Sequence, residues 1–469
     1  MGFPYGTAPL VILSLALVTG AAITVGGRAA EERRPDLVFA TFVKEHAEAY
    51  GPAVEQFERE NGVDVQVQVV DQRALQSRLQ SSMQAGAEVP DMVELLDGTM
   101  GVFTKGPVED VGFIDLTDRV RREGLFDRLV TSRFGKWTSR GHVFALPHDV
   151  HPVMLAYRRD LVEQLGIDVT RLTTWDAFSR VGQEVTKDLD GDGVPDRYML
   201  DLPVNAGDVL RLLLLQRGGA MFDEKGDVAF DREAAAEVLA WYVRQVSGPG
   251  RISFPAGWGQ NLAKAMSDGL VLFYFCPDWR LKQFQTDIPG LSGKLALMPL
   301  PAWEPGARRT TTWGGTGLAI TKQTKNADLA WKLAMHLYYD RDQLGPRFAG
   351  TQILPPLKEA WAQPQVDQPV PYFSGQPVGR LYADLAPDVP AEQSSGYMSL
   401  AVSKLSEAYG NTLSYYEAHG EEGLREAARD ELKRAADGVR AVIRRNRFQL
   451  PKAEPPAAAP TDLEAAGKR

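Results

Sequence analysis

Short apolar strands alternate with amphipathic helices in the first hundred residues, and this alternation restricts the fold more than any other feature. An apolar stretch at 37–42 predicts a strand, and the helical pattern after it is expected to end at Asn61-Gly62. Residues 63–70 alternate with the period of a half-buried strand, and 91–96 form a further apolar stretch. Strands that alternate with helices predict βαβ units and a largely parallel sheet, so the predicted fold class is α/β. In such sheets, ligands bind beyond the carboxyl ends of the strands.

The length and charge of the chain limit the kinds of protein it can be. With 469 residues, the chain exceeds the roughly 250–300 residues at which a single core stops growing, so two lobes are expected. The net charge of −9 argues against a nucleic-acid partner, because phosphate binding needs a concentrated basic face. A single cysteine, Cys276, excludes an intramolecular disulfide and a cysteine-rich metal site.

The second part of the chain is richer in helical patterns. Thr174 is expected to N-cap a helix, 269–275 predicts a buried strand, and 316–321 predicts another strand. The spacing of apolar residues over 421–447 predicts a long amphipathic helix. On its solvent face we expect two ion pairs between residues four apart: Glu421–Arg425 and Asp430–Arg434.

The N-terminal segment indicates export from the cytoplasm. Residues 8–25 form an apolar run of about the length that crosses a bilayer, but no lysine or arginine precedes it, as one would in a typical signal peptide. Gly20-Ala21-Ala22 is a candidate cleavage site. Two alternatives stay open for 1–35: a cleaved signal peptide, or a retained anchor in the inner (cytoplasmic) membrane followed by a polar tether. We therefore expect a periplasmic or otherwise extracytoplasmic protein.

Seven stretches, in this order, carry a family resemblance. They are AVEQFERENGVDVQVQVV, SSMQAGAEVPDMVEL, TSRGHVFALPHDVHPVMLAYRRDLVEQLGID, TTWDAF, KAMSDGLVLFYFCPDWRL, WGGTGLAITKQTKNADLAWKLAMHL and YFSGQPVGRLYADLAPDVP. Together they resemble extracellular solute-binding protein family 1, the sugar-binding components of ABC importers, which includes maltose- and multiple-sugar-binding proteins. The likeness extends over about residues 36–447. It departs from Gram-positive members of the family in lacking the cysteine that anchors them to lipid.

The resemblance implies a periplasmic-binding-protein fold of type II, in which two α/β lobes are joined by a hinge and close on a ligand in the cleft between them. Lobe 1 is expected to comprise 36–148 with 312–356, and lobe 2 to comprise 149–311 with 357–447. Residues 448–469 have the proline and alanine bias of a disordered tail.

Three tryptophans are candidates for contact with a sugar, because aromatic faces cover the apolar surface of a pyranose ring. Trp258, Trp279 and Trp313 lie in loops or at strand ends beside glycine, proline or aspartate. The resemblance places Trp279 and Trp313 close to the cleft, and local packing is the alternative for all three. Trp241 and Trp331 lie mid-helix among leucine and alanine, so they are expected in the core.

Polar candidates occupy similar positions along the chain. The polar and backbone ligand candidates are Asp97, Asp149, Asp278 and Gly314. A surface turn is the alternative for Asp97, and a hinge hydrogen bond is the alternative for Asp149. His148 and His151 form at best a weak metal pair, because no third ligand lies nearby in the sequence.

An aspartate-rich loop, KDLDGDGVPDRY at 187–198, has the spacing of a calcium loop. Gly193 permits the sharp turn that brings its oxygens together, and Met199 stands where an EF-hand has a bidentate glutamate, so the expected affinity is modest. The alternatives are a structural Ca²⁺ ion and a metal-free turn. The candidate ligands are Asp188, Asp190, Asp192, the carbonyl of Val194, and Asp196.

The expected function is capture of a sugar, an oligosaccharide or a glycoside, and its delivery to ABC permease subunits. We expect a monomer that needs no cofactor and breaks no bond. A membrane-tethered carbohydrate sensor is the second hypothesis, and a secreted carbohydrate-active enzyme is the third. The sequence contains no Gly-x-Ser-x-Gly, no His-Glu-x-x-His and no phosphate loop.

Overall fold

The computed structural model describes residues 34–203 and 207–447. The strands of these ranges are numbered in chain order. They are β1 Leu37–Thr41, β2 Val65–Val69, β3 Met92–Leu96, β4 Thr138–Ser139, β5 His142–Val143, β6 Leu146–Pro147, β7 Val153–Arg158, β8 Tyr198–Asp201, β9 Ser253–Phe254, β10 Val271–Pro277, β11 Leu295–Pro299 and β12 Thr316–Ile320.

The α-helices are numbered in the same way, and several short 3₁₀ segments, such as Thr131–Trp137, connect them. They are α1 Lys44–Asn61, α2 Gln72–Ala85, α3 Met100–Phe103, α4 Thr117–Arg122, α5 Leu125–Arg128, α6 Arg159–Gln164, α7 Trp175–Val185, α8 Gly207–Gln216, α9 Glu233–Val246, α10 Gln260–Asp268, α11 Trp279–Asp287, α12 Ala327–Tyr339, α13 Arg341–Thr351, α14 Val378–Leu385, α15 Met398–His419 and α16 Leu424–Arg447.

The helix-end signals in the sequence operate as predicted. Gly62 ends α1 in the left-handed region at φ 67°, and the Thr174 hydroxyl accepts a hydrogen bond from the Ala177 amide at the start of α7. In α2, the Asp71 carboxylate accepts from two first-turn amides. Caps of this kind satisfy amides that have no partner inside the helix.

Two five-stranded sheets form the centres of the two lobes. In the first, β1 pairs in parallel with β2 and β3, and β12 returns antiparallel between β3 and β6. In the second, β8 pairs in parallel with β10 and β9, and β7 runs antiparallel between β10 and β11. Each sheet therefore has a parallel part and one strand that runs the other way.

The later helices cover both sheets. Leu333, Leu337 and Leu344 of α12 and α13 share a core with Tyr50 and Phe57 of α1, on the first sheet. Helices α15 and α16 pack into the core of the second sheet. Trp241 and Trp331 are buried, as the sequence predicts.

The expected ion pairs along the last helix are wrong. Glu421 pairs with Arg244 of α9, Arg425 pairs with Glu233 of the same helix, and Arg434 pairs with Glu431. Helix α9 lies beside α16, so Glu421 and Arg425 pair with residues of α9 and not with each other. Arg434 keeps a local partner, but that partner is Glu431 and not Asp430.

Residues 1–35 include the apolar run and the candidate cleavage site, and the predicted tail covers 448–469. The apolar run, the cleavage site and the whole tail lie outside the described residues. Among the helices of 34–203 and 207–447, none is long and apolar enough to cross a membrane.

Candidate functional site

The candidate site lies where the edges of the two sheets face each other. In lobe 2 the parallel strands are β8, β9 and β10: β8 ends at Asp201, Trp258 follows β9, and Trp279 follows β10. In lobe 1 Asp97 follows β3, and Gly314 precedes β12, which runs antiparallel to β3, so both residues lie at one edge. The two segments that cross between the lobes pair with each other at Pro152 and Thr312, between these edges. Ligand sites of α/β sheets occur at such edges.

Trp258, Trp279 and Trp313 come together as one cluster, here called the tryptophan cluster. The ring centroids lie 5.8 to 6.2 Å apart, with Trp258 nearly parallel to Trp279 and Trp313 steeply inclined to both. The indole nitrogen of Trp279 donates to the Trp313 carbonyl at 2.9 Å. Trp258 is 53% exposed. An exposed indole held by two partly buried ones offers an apolar face of the kind that sugar rings stack on.

Arg280 lies beneath this cluster. Its guanidinium carbon is 4.2 Å from the centroid of the Trp258 ring, 4.9 Å from that of Trp313 and 5.4 Å from that of Trp279. The side chain is 2% exposed. All three distances are within the range of a cation–π contact.

Asp97 belongs to a buried group of four charges that joins the lobes, here called the interlobe network: Asp97, Lys136, Arg211 and Glu392. Asp97 accepts from Lys136 at 2.9 Å and from Arg211 of α8 at 2.6 Å. Glu392 also pairs with both cations. Burial opposes the charge on Asp97, but the positive charges of Arg211 and Lys136 outweigh it and lower the pKa of this carboxyl. The surface-turn alternative for Asp97 is therefore wrong, since its side chain is 9% exposed.

Gly314 contributes its carbonyl to the same region. Its φ of 85° lies in the left-handed region that favours glycine. The carbonyl accepts from Lys136 at 2.8 Å and from Arg133 at 3.3 Å. The glycine thus turns a backbone acceptor towards two buried cations at the lobe boundary.

Asp149 lies on the first crossover and Asp278 directly follows β10, and the carboxylates of both are occupied. His151 bridges them, with Nε2 3.1 Å from Asp149 and Nδ1 2.5 Å from Asp278. Asp149 also accepts from the Thr316 amide at 2.8 Å, and Asp278 accepts from the Leu354 amide at 2.7 Å. Both side chains are almost fully buried. In this structure neither carboxylate is open to a solute, so their role differs from the ligand contact that the sequence suggested.

His151 is the charged centre of the hinge. Burial disfavours its protonated form, but the negative charges of Asp149 and Asp278 outweigh burial and raise its pKa from 6.5 to about 9. Its backbone φ of 51° is unusual for a residue other than glycine. The charge therefore fixes the crossover in an otherwise unfavourable conformation.

His148 does not join His151 in a metal pair. It packs against His46, with ring centroids 4.3 Å apart, and burial lowers its pKa from 6.5 to about 4. His46, Glu94 and His148 have ligating atoms within 4.8 Å of one another. Glu94, however, already accepts from His46 and from three hydroxyls. We interpret this group as a satisfied buried carboxylate.

The aspartate-rich loop lies on the surface. Oxygens of Asp188, Asp190 and Asp196 lie within 4.8 Å of one another. All four aspartates accept hydrogen bonds from amides of the loop, Asp192 from the Val194 amide at 2.7 Å. Met199 is fully buried in β8. The loop thus brings three of the four predicted carboxylates together. The side chain at the position of the EF-hand glutamate, Met199, lies in the core.

These features define a class of protein: a two-lobed binding protein of the type II periplasmic fold, with a hinge and a cleft between two α/β lobes. Residues 43–343 match the family described as bacterial extracellular solute-binding protein. The chain belongs to this family, whose members are binding proteins and act outside the cytoplasm.

Named relatives cover most of the chain. The arabinooligosaccharide-binding protein of Halalkalibacterium halodurans is 24% identical over 84% of this chain and 88% of its own length. A protein of the same name from Bacillus subtilis is 24% identical over 68% of this chain and 72% of its length.

Solved structures share the fold. The sugar-binding protein MalE of Xanthomonas citri superposes with a TM-score of 0.71 and 19% identity, over 89% of this chain and 100% of that one. The GacH receptor of Streptomyces glaucescens superposes with a TM-score of 0.67 and 17% identity, over 87% and 98%. These likenesses support the type II fold that the sequence predicts.

Sequence reasoning missed several charged residues of the cleft. Arg211 interrupts an apolar helix and Arg280 directly follows a candidate tryptophan, so both carried a local signal. Lys136 and Glu392 carried none, because their partners are distant in the chain. The missed residues are Arg133, Lys136, Asp201, Arg211, Arg280 and Glu392.

Proposed function

We propose that this protein captures a neutral oligosaccharide between its lobes and delivers it to the permease of an ABC importer. The observation that carries the proposal is the tryptophan cluster at the facing edges of the two sheets, with Trp258 half exposed. Sugar sites combine such aromatic faces with planar polar groups. Of the interlobe network, the Arg211 side chain is the most open, at 15% exposed, and is the candidate polar contact.

The charges of the cleft favour an uncharged solute. In the interlobe network two carboxylates, Asp97 and Glu392, face two cations, Lys136 and Arg211, so the sum is zero. In the hinge, Asp149 and Asp278 face Arg133 and a protonated His151. A solute with a net charge would meet no unpaired opposite charge within these two groups.

The chemical class of solute is proposed from the named relatives. Two proteins that match most of this chain are named as arabinooligosaccharide-binding. Arabino-oligosaccharides are therefore the first probes, followed by maltose-type and galactose-type oligosaccharides. Because the solute would only be held, we propose that the protein breaks no bond, and incubation of each probe should yield no product.

The lobes are proposed to divide at the predicted boundaries, and the protein is proposed to act as a monomer, which light scattering after size exclusion would test. Residues 8–25 are proposed to be either a cleaved signal or an anchor, distinguished by N-terminal sequencing of the exported protein. The aspartate-rich loop is proposed to hold a structural Ca²⁺ through Asp188, Asp190 and Asp196.

Thermal unfolding against the probe panel tests the function. A probe at about 100 times its dissociation constant should stabilise the protein by ~2.7 kcal/mol, enough for a visible shift of the midpoint. Amino acids and glycerophosphodiesters are the negative arm of the panel. A shift with those, and with no sugar, would overturn the proposal.

A matched pair of tryptophan variants locates the site. Trp258→Ala should reduce the sugar-induced stabilisation to about half, ~1.4 kcal/mol for tenfold weaker binding, with little effect on the midpoint of the free protein, because this indole is 53% exposed. Trp361, a partly buried indole that donates to the Pro355 carbonyl at 2.9 Å, lies outside the cluster. Trp361→Ala should do the reverse: lower the midpoint and keep the shift. Equal shifts in both variants would place the solute elsewhere.

A further inference from the structure

We infer that Arg280 is the positioning residue of the solute site: its buried guanidinium supports the three indoles and fixes the Trp258 ring as the solute-facing plane. This inference rests on the proposed function and adds a residue to that site. Arg280 itself is 2% exposed, so it acts through the rings and does not touch the solute.

The contacts of the guanidinium support this role. It lies over the rings of Trp258, Trp313 and Trp279, all within 5.4 Å of the ring centroids. Phe284, one turn further along α11, lies beneath it at 6.0 Å. One cation therefore contacts every member of the tryptophan cluster from the same side chain. Removing it would leave a space common to all three rings.

The guanidinium is held in place from the sheet. Its Nη1 donates to the Phe275 carbonyl of β10 at 2.8 Å. Its buried Nε makes no hydrogen bond within the described residues. Burying a cation with an unused donor lowers the stability of the folded protein. The contacts with the aromatic faces are the favourable interactions that offset this loss. The position of Arg280 is thus best explained by what it does for the indoles.

The loop that carries Trp258 has a second support at its base. The Ala256 amide donates to the Asp201 carboxylate at 2.9 Å, two residues before the tryptophan. Asp201 is 9% exposed and its charge also acts on Arg280. The loop is therefore held at Ala256 by Asp201, and the Trp258 ring is contacted by Arg280, while half of the Trp258 surface stays open to solvent.

The test is a double-mutant cycle on sugar affinity, with an arabino-oligosaccharide probe and the purified full chain. Arg280→Met should weaken binding about tenfold, equivalent to ~1.4 kcal/mol, and Arg280→Lys should recover part of the loss. In a Trp258→Ala background, the same change should cost less than about threefold, since the ring it supports is gone. Additive losses in the two backgrounds would overturn the inference, because a residue that serves only stability would give that result.

Arg347 provides the matched control. It is also a buried arginine over an aromatic ring, 4.9 Å from the centroid of Tyr50, and two of its buried nitrogens likewise have no hydrogen-bond partner among the described residues. Arg347→Met should lower the unfolding midpoint and leave sugar affinity unchanged. If it weakens binding as much as Arg280→Met does, the effect is one of general stability and the inference fails.

A second readout does not depend on the sugar. Hydrogen exchange of the amides in 255–260 should speed up in Arg280→Met and stay as in the wild type in Arg347→Met. If no sugar binds the wild-type protein, the proposed function fails, and this exchange experiment still decides the role of Arg280. Unchanged exchange of the loop in folded Arg280→Met would overturn it.

Discussion

Replacing Arg211 by methionine should destabilise the protein far more than the loss of a surface charge would. In the wild type, the interlobe network contains two negative and two positive charges, which sum to zero. Without Arg211, Asp97 and Glu392 face Lys136 alone, and the sum becomes −1. One buried carboxylate then lacks its partner.

The magnitude follows from burial. Removing one partner of a buried pair typically costs ~3–5 kcal/mol, because an uncompensated charge remains. The Arg211 side chain is 15% exposed, whereas Lys136 and Glu392 are exposed by 2% and 3%. Some water can therefore reach the vacated position, and we expect the lower end of the range, ~3 kcal/mol.

The pH dependence has a definite sign. Burial opposes ionisation of Glu392, but the positive charges of Arg211 and Lys136 outweigh it and lower its pKa below the ordinary value of 4.5. A carboxyl with a lowered pKa contributes stability above 4.5 that is lost as the pH falls through the folded-state value. Arg211→Met removes part of that contribution. The difference from the wild type should thus be largest at pH 7 and narrow below pH 4.5.

Denaturant unfolding of the wild type, Arg211→Met, Glu392→Gln and the double variant measures this change in the free energy of unfolding. Arg211→Met/Glu392→Gln restores a net charge of zero, so it should recover much of the loss, and Glu392→Gln alone should leave Arg211 and Lys136 in excess. A coupling energy above ~1 kcal/mol is expected for residues in one network. If Arg211→Met costs less than ~1 kcal/mol, as exposed pairs do, or if the double variant is as unstable as the sum of the single ones, the buried network does not hold the lobes as described.

Three further perturbations have defined outcomes. Burial raises the pKa of Asp201 from 3.8 to about 6, so its contribution to stability falls as the pH rises from 3.8 to 6. Asp201→Asn should therefore raise the free energy of unfolding at pH 7 by up to ~3 kcal/mol, at 1.36 kcal/mol per pKa unit, and leave it unchanged at pH 3.5. A Cβ on Gly135 would lie 2.5 Å from the Glu392 carbonyl, whereas one on Gly106 meets nothing within 4 Å; Gly135→Ala should therefore cost ~1–3 kcal/mol in denaturant unfolding and Gly106→Ala should be neutral. Millimolar Ca²⁺ should raise the thermal midpoint whether or not sugar is present, and Asp190→Asn should remove that shift; an equal shift in the variant would place the ion elsewhere.

The order of strands and helices was predictable because it depends on local patterns. Period-two alternation gave β2 at Val65–Val69, and the apolar run at 269–275 corresponds to β10 at Val271–Pro277. A glycine signal predicted the C-terminal end of α1, and a threonine signal predicted the start of α7. Each of these features depends on a pattern that lies within about ten consecutive residues.

The partners of charged residues were not predictable in the same way. Arg211 meets Asp97 across 114 positions and Glu392 across 181. Asp278 looks like a solute contact because it precedes Trp279, yet it caps α11 and binds His151, 127 positions away. A local pattern indicates which residues are unusual. Only the fold decides whether an unusual residue faces the solute, the hinge or a neighbouring helix.

Calorimetric titration of the wild type, Trp258→Ala and Trp361→Ala with arabino-oligosaccharides, then with the other sugars, decides whether a sugar binds on the tryptophan cluster. We expect a neutral oligosaccharide to bind the wild type and Trp361→Ala with equal affinity, and Trp258→Ala at least tenfold more weakly, a change of ~1.4 kcal/mol or more. Equal affinity in all three proteins, or binding of charged solutes alone, would contradict a neutral sugar on the tryptophan cluster.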